Sequence, residues 1–300
     1  MENNVFEKLK KQLPEIQKGV LLKNYTTYRI GGPAKYFFAV KNKEDLISAM
    51  KLAKKFKLPV FILGGGSNLL VSDKGFSGLV VKINISDLNL KGNKAFAGAG
   101  VNLTKLAYTL AENGLSGFEW SAGIPGTIGG AIHGNAHAFG TKTSDLVESI
   151  EAVDLKTLKL KKFTNAQCQF SLKNSIFKKN KNLVIVSAVL KLKKEPAEQV
   201  KKNIKEFLEH RREKHPMNFP SAGSTFVNPS SVPAWYLIKK AGLSGKRIGN
   251  AQISEKHCNF IVNLQNAKAK DVLALINLAK KKVKKDFGIL LEPEIQLVGF

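Results

Sequence analysis

The sequence is poor in cysteine, in acidic residues and in long apolar runs, and each scarcity excludes something. Its two cysteines, Cys168 and Cys258, stand far apart and in no CxxC or Cys/His spacing, which excludes a disulfide framework and a structural zinc site; no metal is expected. No apolar run approaches the ~20 residues of a membrane-spanning helix. The opening MENNVFEKLKKQLPEIQ alternates charged with apolar residues and does not build a signal-peptide core. A soluble cytoplasmic protein with no membrane partner is therefore expected. Acidic residues number 23 against 48 basic ones, a net charge of +25 that favours anionic partners. The excess is nearly all lysine, spread over helix faces such as Lys51, Lys54, Lys55 and Lys57, without the arginine clusters or aromatic ladder of a nucleic-acid reader. We read it as a lysine-biased surface with no specific nucleic-acid partner.

What is present is ample core. Three hundred residues at 43% hydrophobic content suit two or three domains. An amphipathic stretch from Val5 to Gln17 is expected to pack on the outside. Asn42 can cap a helix carrying Leu46, Ala49, Met50, Ala53 and Phe56 at helical spacing, and Pro59 leads into an apolar strand, Val60 to Leu63. Leu79 to Ile83 reads as a strand, Leu103, Leu106, Ala107 and Leu110 as a helix stopped near Gly114, and further strands fall at 150–155, 158–163 and 183–192. A charged helix then runs from Pro196 toward Pro216 with Val200, Ile204, Phe207 and Leu208 as its buried stripe. Beyond it come helices near 234–241 and 270–287 and strands at 259–263 and 289–298. The pattern is α+β. It divides into an N-terminal helical extension at 1–21, a first domain at 22–193 with subdomains of about 22–83 and 84–193, and a C-terminal domain at 194–300.

Two segments are unusually rich in glycine. Gly64-Gly65-Gly66-Ser67-Asn68 follows a predicted strand, where backbone N–H groups without side-chain cover can converge on a phosphate. It lacks the Gly-Lys-Ser/Thr of a P-loop and the GxGxxG of a dinucleotide fingerprint, and an ordinary tight turn is the plain alternative. The second segment, from Gly117 to Asn135, carries too much glycine for a regular strand or helix and needs either packing or a ligand with many acceptors to hold it.

These segments carry a family resemblance. Asn24-Tyr25-Thr26-Thr27-Tyr28-Arg29-Ile30-Gly31-Gly32-Pro33-Ala34, then Leu63 to Leu70, then Gly123-Ile124-Pro125-Gly126 through Asn135 resemble the three FAD-contacting motifs of the UDP-N-acetylenolpyruvoylglucosamine reductases. The likeness continues through Cys168-Gln169-Phe170, Asn174 to Phe177, Pro220 to Ser224, Ala241 to Gly245, Ser254 to His257 and Leu291-Glu292-Pro293-Glu294, covering roughly 22–299. It implies a vanillyl-alcohol-oxidase-like FAD domain of two α+β subdomains at 22–193, followed by a smaller α+β substrate domain at 194–300. The absence of an insertion in the second half resembles the short type of the family. Tyr28, Arg29, Gly31, Gly64, Gly65, Gly66, Ser67, Asn68, Gly123, Ile124, Pro125, Gly126, Gly129, Gly130 and Asn135 would then contact non-covalently bound FAD. The activity implied is NADPH-dependent reduction of a UDP-sugar enolpyruvyl ether in peptidoglycan synthesis, carried out by a monomer.

That reaction is a conjugate addition, so the site needs an acid for the α-carbon and cationic or hydrogen-bonding groups where enolate charge develops. By motif position Ser224 matches the family's proton-donating serine and Glu294 its catalytic glutamate. If 289–298 is a strand, Glu292 and Glu294 share one face while Leu291, Ile295 and Leu297 share the other. The chain departs from the family at Leu172-Lys173, where Tyr-Arg is usual. Lys173 keeps the charge but loses the planar fork that grips a carboxylate with two hydrogen bonds. Val227 and Phe139 are smaller departures. Asn228, Arg212 and Lys214 are the expected substrate contacts, with Arg211 beside them at the helix end. The competing reading is a catalytically impaired member that only binds flavin or nucleotide, and Leu172-Lys173 is its motive.

Overall fold

The computed structural model describes residues 2–229 and 232–300; of the expected extension at 1–21, Met1 lies outside the described residues. The chain divides into two compact units, each discontinuous in sequence: residues 1–18, 36–65 and 78–209 form the first, and 19–35, 66–77 and 210–300 the second. Helices and strands mix in both, as an α+β protein requires.

In the first unit the expected elements are found with small changes of boundary. Helix Lys43–Lys55 starts at Asn42, whose side chain accepts from Asp45 N, a cap worth about 1 kcal/mol. Helix Leu103–Glu112 starts at Asn102 by the same device. Strand Val60–Leu63 runs parallel to Phe76–Ile83, with Leu63 opposite Lys82. The strands Lys159–Thr164, Val147–Asp154, Leu183–Lys191, Lys94–Gly98 and Leu88–Lys91 make an antiparallel sheet in that order. The first helix, Glu2–Gln12, differs from expectation. It does not merely coat the surface: Leu9 of the helix, with Leu13 and Ile16 just beyond its end, is buried in the main core with Tyr36, Phe38 and Leu46. Burial of each such side chain contributes about 1.5–3 kcal/mol.

By packing, the two units part at 209/210, inside helix Ala197–Lys214. The reason is the helix's apolar stripe, since Val200 and Ile204 are buried with Ala107, Ala111 and Ala122 of the first unit.

The second unit packs helices Ala234–Lys240 and Ala269–Phe287 with a four-stranded antiparallel sheet, ordered Ser221–Ser224, Phe260–Asn263, Ala251–Ile253 and Arg247–Ile248. Its core draws Tyr28, Ile30 and Leu70 from far earlier in the chain. The strand expected over 289–298 is shorter, Gln296–Val298, and runs parallel to Leu69–Val71. Period-two alternation fails there. Leu291 and Ile295 are buried as expected, but Leu297 is 42% exposed and Val298 buried, because the chain bends at Ile295 before it joins the sheet.

Candidate active site

In the first unit the two glycine-rich segments meet. A Cβ on Gly65 would lie 2.5 Å from Gly126 Cα, so glycine is demanded there by backbone-to-backbone approach. Gly126 itself has φ 143, outside the range of ordinary side chains. Gly129 is fixed in the same way, since its Cβ would sit 2.8 Å from Ala99 Cβ. Gly64 and Gly130 differ from these two. Their added Cβ atoms would have the Thr127 hydroxyl as nearest neighbour, at 3.2 and 3.6 Å, and no backbone wall stands closer. This side-chain-free cradle suits a ligand with many acceptor oxygens, and on that observation FAD fits the residues present. Sequence reasoning missed one group at this spot. The Lys82 ammonium donates to Gly64 O at 2.7 Å, holding the first glycine turn by its carbonyl. The signal was available: a single lysine inside the apolar strand Leu79-Val80-Val81-Lys82-Ile83.

The end of the second glycine segment is tied to the turn that bears Lys173. Asn135 is buried, with φ 42. Its Nδ2 donates to Ser171 O at 3.0 Å, and its Oδ1 accepts from Ser144 N at 3.1 Å. Ser175 Oγ donates to His133 O at 2.8 Å. Ser171 and Asn174 bridge each other in antiparallel fashion, leaving Leu172 and Lys173 as the two residues of a tight turn. Lys173 accordingly has φ 54, Leu172 is 69% exposed, and Lys178 Nζ donates to Lys173 O at 2.8 Å. Phe139, a departure from the family motif, stacks on Phe207 with ring centroids 4.5 Å apart.

The second unit holds the rest of the expected residues. The Asn24–Ala34 segment folds onto its core. Tyr28 is 1% exposed, and Asn263 Nδ2 donates to its carbonyl at 2.9 Å. Burial holds the Tyr28 hydroxyl protonated far beyond its usual range, with the Thr225 hydroxyl nearby. Neither hydroxyl has a satisfied hydrogen bond. Arg29 is exposed, with φ 54. Thr27 N donates to Gly66 O at 3.1 Å, and a Cβ on Gly66 would collide with Tyr25 O, so the first motif and the end of the glycine triplet also fit one another.

Ser224 and Glu294 lie 70 positions apart in the chain and come to neighbouring rungs of one backbone pairing. Glu294 N donates to Thr225 O at 2.8 Å, Val227 N to Glu292 O at 2.9 Å, and Phe226 bridges Pro293 in antiparallel fashion. Ser224 immediately precedes Thr225, and its strand is paired on the other side with Phe260 across an irregular register. The Glu294 carbonyl also accepts from Asn68 Nδ2 at 3.1 Å, and Gln296 N donates to Asn68 O at 3.0 Å. Asn68 thereby braces the acid's segment. Both Ser224 and Glu294 are half-buried.

Of the expected substrate contacts, Arg212 and Lys214 are exposed, and Arg212 O accepts from Lys256 Nζ. Asn228 is exposed, and its Oδ1 accepts from Ala234 N at 3.1 Å at the start of helix Ala234–Lys240, leaving its amide N–H groups unengaged by that bond. The buried guanidinium is that of Arg211, at 7% exposure, with burial pushing its pKa down to about 10. Four positions on, His215 stacks on Phe260 at 5.1 Å and meets His257 edge-on at 5.4 Å. Burial first, then the charges of His257, Arg211, His210 and Lys256, push the His215 pKa down to about 4.

Cradle and fold together define an FAD-binding flavoprotein: residues 34–159 match the family model described as FAD binding domain. A glucose oxidase variant of Phl p 4 shares the fold at TM-score 0.50 and 15% identity, covering 64% of this chain and 44% of that one. Residues 215–298 match the model described as UDP-N-acetylenolpyruvoylglucosamine reductase, C-terminal domain. Enzymes of that name from Caldanaerobacter subterraneus and Caldicellulosiruptor bescii are 40% and 43% identical to the chain, covering 100% and 95% of it and 99% and 91% of those relatives. The crystal structure of the Thermus caldophilus enzyme superposes with TM-score 0.81 at 34% identity, covering 95% of this chain and 99% of that one. The chain belongs to the UDP-N-acetylenolpyruvoylglucosamine reductase family and is an FAD-dependent oxidoreductase that uses NADPH, as the motif resemblance implied. No helix among the described residues is long and apolar enough to cross a membrane, and no cluster of metal-binding side chains occurs among them.

Proposed function

We propose that this protein reduces UDP-N-acetylglucosamine enolpyruvate to UDP-N-acetylmuramate in the cytoplasm, as a monomer, in peptidoglycan precursor synthesis. The observation that carries the reading is the pairing of Thr225 with Glu294, which puts a serine hydroxyl and a carboxyl group on adjoining backbone rungs in a family member. When bound, FAD supplies the hydride, taken from NADPH, that reaches the β-carbon of the enolpyruvyl group. Ser224 delivers the proton to the α-carbon, and Glu294 takes part in the proton traffic that restores the serine hydroxyl from solvent. Lys173 holds the substrate carboxylate as it takes on enolate character. Being a single flexible ammonium, it orients that group less firmly than arginine would. The glycine segments, with Tyr28, Arg29, Ser67, Asn68 and Asn135, form the FAD site, within a cofactor domain at 22–193. Arg212, Lys214 and Asn228 meet the UDP-sugar, within a substrate domain at 194–300.

Stopped-flow absorbance tests this directly. NADPH is expected to bleach the yellow protein, and the enolpyruvyl UDP-sugar to restore the colour. Bleaching without recovery would leave an impaired, binding-only member. Lys173→Arg is expected to raise the rate of recovery about tenfold, in line with ~1.4 kcal/mol of better-oriented charge. An unchanged or lower rate would remove Lys173 from the carboxylate.

A further inference from the structure

Lys82 is a cation in an unusual place. It lies on strand Phe76–Ile83 opposite Leu63, the last residue before the first glycine turn. Its ammonium donates to Gly64 O at 2.7 Å and more weakly to Ile83 O at 3.4 Å. Among the described residues no carboxylate pairs with it. Burial lowers its pKa, as expected for a charge taken from water without a counter-charge. Such a placement is costly unless an anion completes it. An ammonium has three N–H donors, and the two carbonyls take two of them. Lys82 also acts where the two glycine segments touch, because Gly64, whose carbonyl it holds, precedes Gly65, which packs on Gly126.

Resting on the flavoprotein reading, we propose that Lys82 is a cofactor-positioning residue: it fixes the Gly64 turn against the Gly126 turn and supplies the positive charge that balances the diphosphate of FAD. Lysine suits this role because a compact ammonium can serve carbonyls and a phosphate oxygen together. A carboxylate partner would cancel the charge the diphosphate needs.

The test uses full-length protein stripped of flavin, with the FAD dissociation constant read from quenching of flavin fluorescence and the melting temperature of the flavin-free protein read in parallel. Lys82→Met is expected to weaken FAD binding at least tenfold while leaving the flavin-free melting temperature level or slightly higher, since an apolar side chain of similar volume removes a partly buried charge that has no carboxylate beside it. Lys82→Arg is expected to recover FAD affinity to within about threefold of the unsubstituted protein. Raising the salt concentration should weaken FAD binding by the unsubstituted protein more than by Lys82→Met. Equal FAD affinity for Lys82→Met and the unsubstituted protein would overturn the proposal. So would weakening that follows a lowered melting temperature in both variants, which would make Lys82 a structural brace alone. Failure of the unsubstituted protein to take up FAD would instead overturn the flavoprotein reading, and this inference with it.

Discussion

The glycine turns of the first unit and the Ser224/Glu294 pairing of the second build chemistry by opposite means. At the glycine turns, function needs side chains to be missing. Gly65 and Gly126 come so close that no Cβ fits, and the resulting surface is bare backbone. At the pairing, the proposed function needs two side chains to be present, and three residues on each of two distant segments are joined there by main-chain hydrogen bonds. A binding surface for an extended polyanion can be made from composition. A reacting pair has to be made from register.

Three substitutions can break or sharpen that contrast. The largest effect is expected for Ser224→Ala, which should slow substrate-driven recovery of flavin colour by roughly 10²- to 10⁴-fold, the usual worth of a positioned acid, while NADPH-driven bleaching stays within about twofold. Equal slowing of both half-reactions would show that the serine serves the whole site and would end the division of labour. Next comes Gly65→Ala set against Gly223→Ala. The first forces a Cβ to 2.5 Å from Gly126 Cα, so overpacking of about 1–3 kcal/mol and release of FAD are expected. The second meets nothing within 4 Å and carries only the strain of φ 74, about 1 kcal/mol, with FAD retained. Calorimetry with flavin absorbance separates them, and FAD loss in Gly223→Ala alone would invert the assignment.

The smallest effect concerns pH. His215 has a folded pKa near 4 against about 6.5 unfolded, so between these values the unfolded chain binds more protons. Its contribution is whole above pH 6.5 and is lost as pH falls toward 4. After allowance for partial solvent access the loss is about 2 kcal/mol. Melting curves from pH 7 to 4.5 should fall more steeply for the unsubstituted protein than for His215→Phe, and parallel curves would remove His215 from the acid sensitivity of the second unit.

The same contrast explains what could be read from the sequence. Local signals carried far: Asn42 as a cap, Val60–Leu63 as a strand, and the two glycine segments each have causes within a few residues. Long-range causes did not show. Nothing near Leu9, Leu13 and Ile16 announces that their stripe meets Tyr36 and Leu46, and nothing near Glu294 announces Thr225. The alternation expected across 289–298 holds at Leu291 and Ile295 and breaks only past the bend at Ile295, where the chain leaves its pairing with 225–227 and joins Leu69–Val71. Tyr28 shows what a motif read in one dimension leaves out: its burial with Ile30 and Leu70 in the core of the second unit has no sign in the neighbouring sequence.

Because the second unit gathers 19–35 and 66–77 with 210–300, the chain passes between units five times, and synthesis from the N-terminus cannot finish the two in turn. Asn68 must wait for Glu294, made 226 positions later, and Leu69–Val71 for Gln296–Val298. At bacterial translation speeds of about 5–20 residues per second that interval is roughly 10–45 seconds. Throughout it, Ile30 and Leu70 leave the ribosome with no permanent shelter. Those early segments are where a chaperone would find its grip on the nascent protein, and a fragment beginning at residue 210 would lack them altogether.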